Sequence, residues 1–339
     1  MHNRNVRSKE SLCALGACIA QCWGLRDVTL REAERGFYGE TWVVESAEGR
    51  FFAKLDCSPH QGIYRHNLLV LQGLVDQNVP HVAPVRKAVG GALFAMFAGG
   101  TLALFDFIEG IHTEDYPLVR LFSALTRIYH ASPPDGIERE TFSGAVLGHI
   151  HDHIDALGHD ESDERIREIL RGHAPTLERY AQKLRTLSVL CMKDLFGFVV
   201  THGDAGGNAI MTDEHFTLID WDHPMYAPPE RDAWFFVVDP YFTAFDRCLA
   251  AEGHAYKLQA RRIGYYAYYT YFYYLLEYLI CYASLSDEAA KRDCADAIAA
   301  YFDSWIVNQM RVIESDAAIQ SLIERGVKKG CCGSDSVRV

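Results

Sequence analysis

Thr201-His202-Gly203-Asp204-Ala205-Gly206-Gly207-Asn208 and, eleven residues on, Ile219-Asp220-Trp221-Asp222 form the stretch on which the fold of this chain turns. Three carboxylates and an amide fall within nineteen residues, in loops beside two short apolar runs, 198–201 and 216–219, that read as strands. Hard oxygen donors of this kind suit Mg²⁺, which keeps several waters and takes one or two carboxylates together with phosphate oxygens. A carboxylate left off the metal can accept a proton from a hydroxyl group. Asp, Gly and Asn also favour turns for purely local reasons, so the stretch by itself is equally readable as an acidic surface hairpin.

The residues upstream supply the context. Gly36-Phe37-Tyr38-Gly39-Glu40 leads into an aromatic and β-branched run to Glu45, a turn over 46–49, and a second run Arg50-Phe51-Phe52-Ala53-Lys54-Leu55, the pattern of a hairpin. Leu68, Leu71 and Leu74 mark a short helix over 63–75, and two further apolar runs, 92–97 and 101–108, follow Pro80, Pro84 and the Gly90-Gly91 pair. Leu12, Leu15, Ile19 and Trp23 recur at helical spacing and predict a first helix. The basic residues before Cys18 also resemble a lipoprotein export signal, but the apolar stretch is short and Glu10 stands at its edge.

With these pieces in place, the chain resembles the aminoglycoside phosphotransferase and choline kinase family of small-molecule kinases. The resemblance rests on His202-Gly203-Asp204 with Asn208, on Ile219-Asp220-Trp221-Asp222, on Ala53-Lys54, and on the hinge-like Leu104-Phe105-Asp106-Phe107-Ile108-Glu109-Gly110. The run from Ile219 to Asp232, with Ala227-Pro228-Pro229-Glu230-Arg231-Asp232 at its end, is most similar to the spectinomycin phosphotransferase branch. It implies an α+β, two-lobed protein-kinase-like fold, with a small β-rich lobe over 1–108, a large helical lobe over 109–325, and a flexible tail over 326–339. The same resemblance implies ATP and Mg²⁺ as cofactors. Asp204 would be the base, Asp220 and Asn208 would hold the metal, and Lys54 would pin the phosphates. The backbone at Phe105 and Phe107 would meet adenine, and Asp222, Glu230 and Glu277 would face the substrate. His202 is expected to brace the loop rather than touch substrate.

The chain departs from the family pattern in three places. The metal-binding Asn follows the base by four residues instead of five, with Ala209 in the next position. Tyr64, Arg65, His66 and Asn67 stand where the family's helix offers a Glu to pair with the Lys, and no acid is among them. The Gly36–Gly39 turn is a spare version of a phosphate loop. The absent acid predicts a Lys54 held loosely, with Arg65 adding repulsion.

Composition narrows the partner class. Lys and Arg number 33 against 45 Asp and Glu, a net charge of −12, which speaks against nucleic acid or an anionic membrane as the main partner. No apolar run reaches the ~20 residues of a spanning helix, and ten cysteines without a C-x-x-C read as free thiols of a cytoplasmic protein. A small, cationic, polyhydroxylated acceptor such as an aminocyclitol or aminoglycoside antibiotic fits both the charge and the resemblance. A nucleotide-binding pseudokinase, a kinase of another small alcohol such as choline or a sugar, and a kinase acting on protein are the competing readings.

Two further features invite chemistry. His149, His151 and His153 with Asp152 and Asp155 could hold zinc or iron if they lay on a strand, but their charged surroundings favour a solvated helix or helix pair over 149–173. The tract Tyr265-Tyr266-Ala267-Tyr268-Tyr269-Thr270-Tyr271-Phe272-Tyr273-Tyr274 reads as helical core, with a cation–π role as the alternative and Glu277 near the face of Tyr269.

Overall fold

A computed structural model describes residues 7–33, 39–58, 61–112, 116–158, 161–236 and 241–331. The described residues form two compact units, one within Asn3–Arg139 and Val199–Ala227, the other within Glu140–Phe198 and Pro228–Val339. This grouping places the loops carrying Asp204 and Asp220 with the amino-terminal residues.

The first unit opens with helix α1 (Lys9–Trp23), which starts where the Ser8 hydroxyl accepts from the Ser11 N–H and stops at Gly24, whose φ of 69° few side chains tolerate. Strands β1 (Thr29–Glu32), β2 (Glu40–Ser46), β3 (Gly49–Asp56), β4 (Ala95–Phe97) and β5 (Gly100–Asp106) build an antiparallel sheet in the order β1-β2-β3-β5-β4. Helix α2 (Gln61–Asp76) follows β3. A short β6 (Ile111–His112) and helix α3 (Leu118–Ile128) come next, and β7 (Val199–Thr201), β8 (Ala209–Met211), β9 (Phe216–Leu218) and β10 (Met225–Ala227) complete the unit. The register β6-β8-β9 and β7-β10 was invisible in the sequence because each strand has only two or three residues.

The side-chain period of two places Lys54. Trp42, Val44, Phe51, Ala53 and Leu55 point to the face that packs with Leu15, Ile19 and Trp23 of α1. Thr41, Val43, Phe52 and Lys54 therefore take the other face, where they line a cavity of about 500 Å³. The pairs Thr41↔Lys54, Val43↔Phe52 and Phe52↔Phe105 keep that face continuous across three strands. Of the Gly36–Gly39 turn only Gly39 is among the described residues; its φ is 82°, and a Cβ there would stand 2.8 Å from the Leu55 carbonyl oxygen.

The second unit is helical: α4 (Val146–Asp155), α5 (Glu161–Cys191), α6 (Glu230–Ala233), α7 (Tyr241–Ala251), α8 (Ala260–Ala283), α9 (Glu288–Tyr301), α10 (Trp305–Ser315) and α11 (Ala317–Cys331). Residues 326–331, expected as loose tail, continue α11, whereas 332–339 lie outside the described residues. The aromatic tract is the core of this unit. Tyr265, Tyr266, Tyr268, Tyr271 and Phe272 are buried on α8, and three of the hydroxyls find acceptors, Tyr265 on the Ser143 carbonyl (2.9 Å), Tyr266 on Glu140 (2.9 Å) and Tyr268 on Glu314. His149, His151 and His153 lie on α4, a helix; His151 pairs with Asp155 at 3.0 Å, and no group of three metal-ligating residues forms among the described residues.

Candidate functional site

The loop after β7 is fixed by His202, a side chain with 1% exposure. Its Nδ1 accepts from the Asp204 N–H at 3.3 Å, so the ring proton sits on Nε2 and is donated to the Ile219 carbonyl at 2.9 Å. One imidazole thus ties the Asp204 loop to the strand end that precedes Asp220, the bracing role read from the sequence. Tyr116 adds a second tie, taking the Gly207 N–H at 2.9 Å, and His112 Nε2 meets the Gly207 carbonyl at 2.9 Å. Gly203 and Gly207, at φ 87° and 83°, supply the two left-handed turns that let so short a loop close.

The four-residue spacing keeps Asn208 beside Asp204. Ala209 pairs with Leu218, and the Ile219 N–H continues that pairing by donating to the Asn208 carbonyl at 3.0 Å. Asn208 is therefore held by the hairpin, and its Nδ2 donates to the Asp204 carbonyl (2.7 Å) and to Asp204 Oδ2 (3.2 Å). Asn208 lines the cavity; Asp204 is exposed and is not among the residues lining it.

Asp220 follows β9 with φ 61°, a left-handed conformation that Asp adopts more readily than most residues. Its Oδ1 accepts from Lys54 Nζ at 2.7 Å, and Asp222 Oδ2 accepts from the same ammonium at 2.5 Å. The Lys54 side chain is 10% exposed, those of Asp220 and Asp222 35% and 23%. Burial works to lower the Lys54 pKa, but the charges of Asp220 and Asp222 outweigh it and hold the amine above its ordinary value. Burial opposes ionisation of both carboxylates as well. Lys54 overcomes it at Asp220, whose pKa falls below the ordinary value, whereas at Asp222 burial and the charge of Asp220 prevail and push it up to about 6. Two carboxylates sharing one ammonium leave an uncompensated negative charge, suited to a cation.

Lys54 is accordingly firmly held, contrary to the expectation drawn from the missing helix acid. Arg65 is engaged elsewhere: its guanidinium donates to the Thr101 hydroxyl at 3.4 Å and lies 6.0 Å from the centre of the Phe94 ring. The sequence reading missed Tyr64 and Asn67 of α2. The Tyr64 ring centre lies 5.4 Å from Lys54 Nζ, and Asn67 Nδ2 donates to the Asp222 carbonyl. Their spacing of three on a helix whose buried face also carries Leu68 and Leu71 was the available signal.

Phe105 and Phe107 line the same cavity as Lys54, Asn208, Asp220 and Asp222, together with apolar residues such as Val43 and Ile210. Phe107 is packed beneath the Arg50 guanidinium, 4.0 Å from the ring centre. An apolar slot with a lysine and carboxylates along it has the makeup of a nucleotide site.

The three residues assigned to substrate fare differently. Asp222 is committed to Lys54. Glu230, at 0% exposure, has its carboxylate occupied by the Tyr256 hydroxyl (2.8 and 2.9 Å) and the Gln259 N–H (2.6 Å), 4.0 Å from the fully buried Arg262. A side chain with no exposed surface meets no substrate, so that assignment is corrected: Glu230 anchors α6 to the start of α8. Glu277 is half-buried on α8 and hydrogen-bonds Tyr273, which stacks on Tyr269 at 6.2 Å.

The model of a family described as phosphotransferase enzyme family matches residues 29–268. Among solved structures, spectinomycin phosphotransferase APH(9)-Ia in complex with ADP and spectinomycin is similar at TM-score 0.66 and 16% identity, over 95% of this chain and 99% of that one. A microcompartment-associated aminopropanol kinase is similar at TM-score 0.61 and 16% identity, over 90% and 99%. Macrolide 2′-phosphotransferase MphH from Brachybacterium faecium is similar at 0.53 and 15%, over 85% and 98%. These likenesses show the kinase-like α+β fold. A search of curated protein sequences returns no match to this chain.

Proposed function

The chain belongs to the phosphotransferase enzyme family, small-molecule kinases acting on alcohol groups, and on that premise we propose that it moves the γ-phosphoryl group of ATP to a hydroxyl of a small, cationic, polyhydroxylated molecule such as an aminocyclitol. The observation that carries the reading is the Lys54 ammonium clasped by Asp220 and Asp222 inside the cavity that Phe105 and Phe107 also line.

In this reading adenine lies along Phe105 and Phe107, and Lys54 pairs with the phosphates. Asp204 takes the acceptor's hydroxyl proton as its oxygen forms a bond to the γ-phosphorus and the bond from that phosphorus to ADP breaks. Asn208, donating to Asp204 Oδ2, fixes the carboxylate for that transfer, and His202 fixes its backbone. The donor set suits Mg²⁺: Asp220 offers a partly exposed carboxylate and Asn208 its amide oxygen, the Nδ2 end being given to Asp204. A metal held there would neutralise charge on the β- and γ-phosphates.

The net charge of −12 supports a cationic acceptor. Spectinomycin bound by one structural neighbour, and the aminopropanol named for another, bracket the candidates. An aminocyclitol antibiotic as acceptor would make the reaction one of drug resistance. No described helix is long and apolar enough to cross a membrane, and the need for ATP favours a place in the cytoplasm.

The test is Mg²⁺-dependent ADP release with wild type and Asp204→Asn against aminocyclitols, aminoglycosides, amino alcohols, choline and sugars. One acceptor should raise turnover well above background, and the variant should lose about 10²-fold or more of it while ATP still raises its melting temperature. Equal turnover in variant and wild type would overturn the assignment of the base. If no acceptor responds while ATP binds, the pseudokinase reading takes its place.

A further inference from the structure

Lys54 has two carboxylates within 2.7 Å, and the proposed reaction needs one of them elsewhere. Asp220 is the more exposed of the two and, with Asn208, is assigned to the metal. Once a divalent cation draws on Asp220, a buried lysine is left with a single counter-ion. Nothing on α2 supplies another: from Gln61 to Asp76 its only acid is Asp76, at the last position. Tyr64 and Asn67, on the face of α2 toward the lysine, are uncharged at neutral pH.

Asp222 is built for the part. It makes the shorter contact to Lys54, 2.5 Å, and is the less exposed of the pair. Its backbone is pinned independently of its carboxylate by Asn67 Nδ2 on the carbonyl oxygen. Three residues earlier on α2, Tyr64 lies against the same ammonium with its ring centre 5.4 Å from Nζ. The Tyr64 hydroxyl is buried and has no hydrogen-bond partner among the described residues, so the ring serves as a wall of the lysine's berth and leaves the charge to Asp222.

We propose that Asp222 is the positioning residue for Lys54, the counter-ion that holds the ammonium in place for the phosphates of the nucleotide, with α2 acting through Asn67 as its support. This rests on the reading of the cavity as the ATP site. It assigns Asp222 to nucleotide binding, and neither to the acceptor hydroxyl nor to the metal.

The test compares wild type, Asp222→Asn and Asp222→Glu in three measurements: ATP affinity by titration without acceptor, steady-state kinetics with the best acceptor, and the Mg²⁺ concentration for half-maximal rate. Asp222→Asn should raise both the dissociation constant and the KM for ATP about tenfold or more, because a buried lysine loses its charged partner. At saturating ATP its kcat should fall less than about tenfold, and the Mg²⁺ requirement should stay within about twofold of wild type. Asp222→Glu, which keeps the charge, should recover most of the ATP affinity. A collapse of kcat with unchanged ATP affinity would overturn the proposal in favour of contact with the acceptor. A raised Mg²⁺ requirement would overturn it in favour of a metal ligand, and so would a variant that binds ATP as wild type does. Wild type that binds no ATP at all would remove the ATP-site reading itself, an outcome distinct from these.

Discussion

Replacing Glu230 by Gln should make the protein's stability less sensitive to pH, by an amount the burial of that carboxyl sets. Glu230 has no exposed surface, and burial pushes it up to about 7 from an ordinary 4.5, against the opposing hydrogen bonds from Gln259 and Tyr256 and the charge of Arg262. The native state therefore holds this proton more tightly than the unfolded chain does. Below pH 4.5 both states are protonated and the carboxyl carries no penalty. Between 4.5 and 7 the unfolded chain ionises while the native carboxyl stays neutral, so stability falls as pH rises through this window. A difference of roughly two and a half pKa units corresponds to about 3 kcal/mol, complete above pH 7. Glutamine mimics the protonated form, so Glu230→Gln should match wild type within about 1 kcal/mol at pH 4.5 to 5 and exceed it by up to about 3 kcal/mol at pH 8. Urea unfolding followed by circular dichroism at pH 5, 6, 7 and 8 reads the difference directly. A gap that does not change with pH, or a wild type that gains on the variant toward pH 8, would refute the reasoning and show that the ion pair with Arg262 outweighs its desolvation. Activity at pH 7.5 should be little changed, because the side chain has no surface on which to meet a substrate.

Two other substitutions probe different parts of the same account. Asn208→Ala should lower kcat about 10- to 100-fold with a smaller change in ATP affinity, since it removes the hydrogen bond to Asp204 Oδ2 and a proposed metal ligand; a full-rate variant would show that the Asn208 side chain has neither role. Gly197→Ala should destabilise the helical unit by about 2–4 kcal/mol in thermal unfolding, because φ is +69° and a Cβ would run into the Tyr256 ring. A loss below about 0.5 kcal/mol would mean that the ring moves aside without cost to its bond with Glu230.

Much of this protein can be read along the chain. The hairpin that carries Lys54, helix α1 and the aromatic helix α8 each advertise themselves by aromatic and β-branched enrichment or by helical spacing, and the His-Gly-Asp and Ile-Asp-Trp-Asp runs are local enough to carry the family resemblance. Period two also puts Lys54 opposite Ala53 and Leu55, on the face away from α1. Strands of two or three residues such as β6, β8 and β10 have no period to detect, so their pairing, and with it the pinning of Asn208 beside Asp204, depends on distant partners. The partner of Lys54 was likewise undecidable from spacing: Asp220 and Asp222 are more than 160 residues away, and only chain folding brings them to the ammonium. Burial decided the rest. Glu230 and Arg262 look like surface charges in sequence, because charge is normally kept in water, and it took the packing of α6 against α8 to enclose them together.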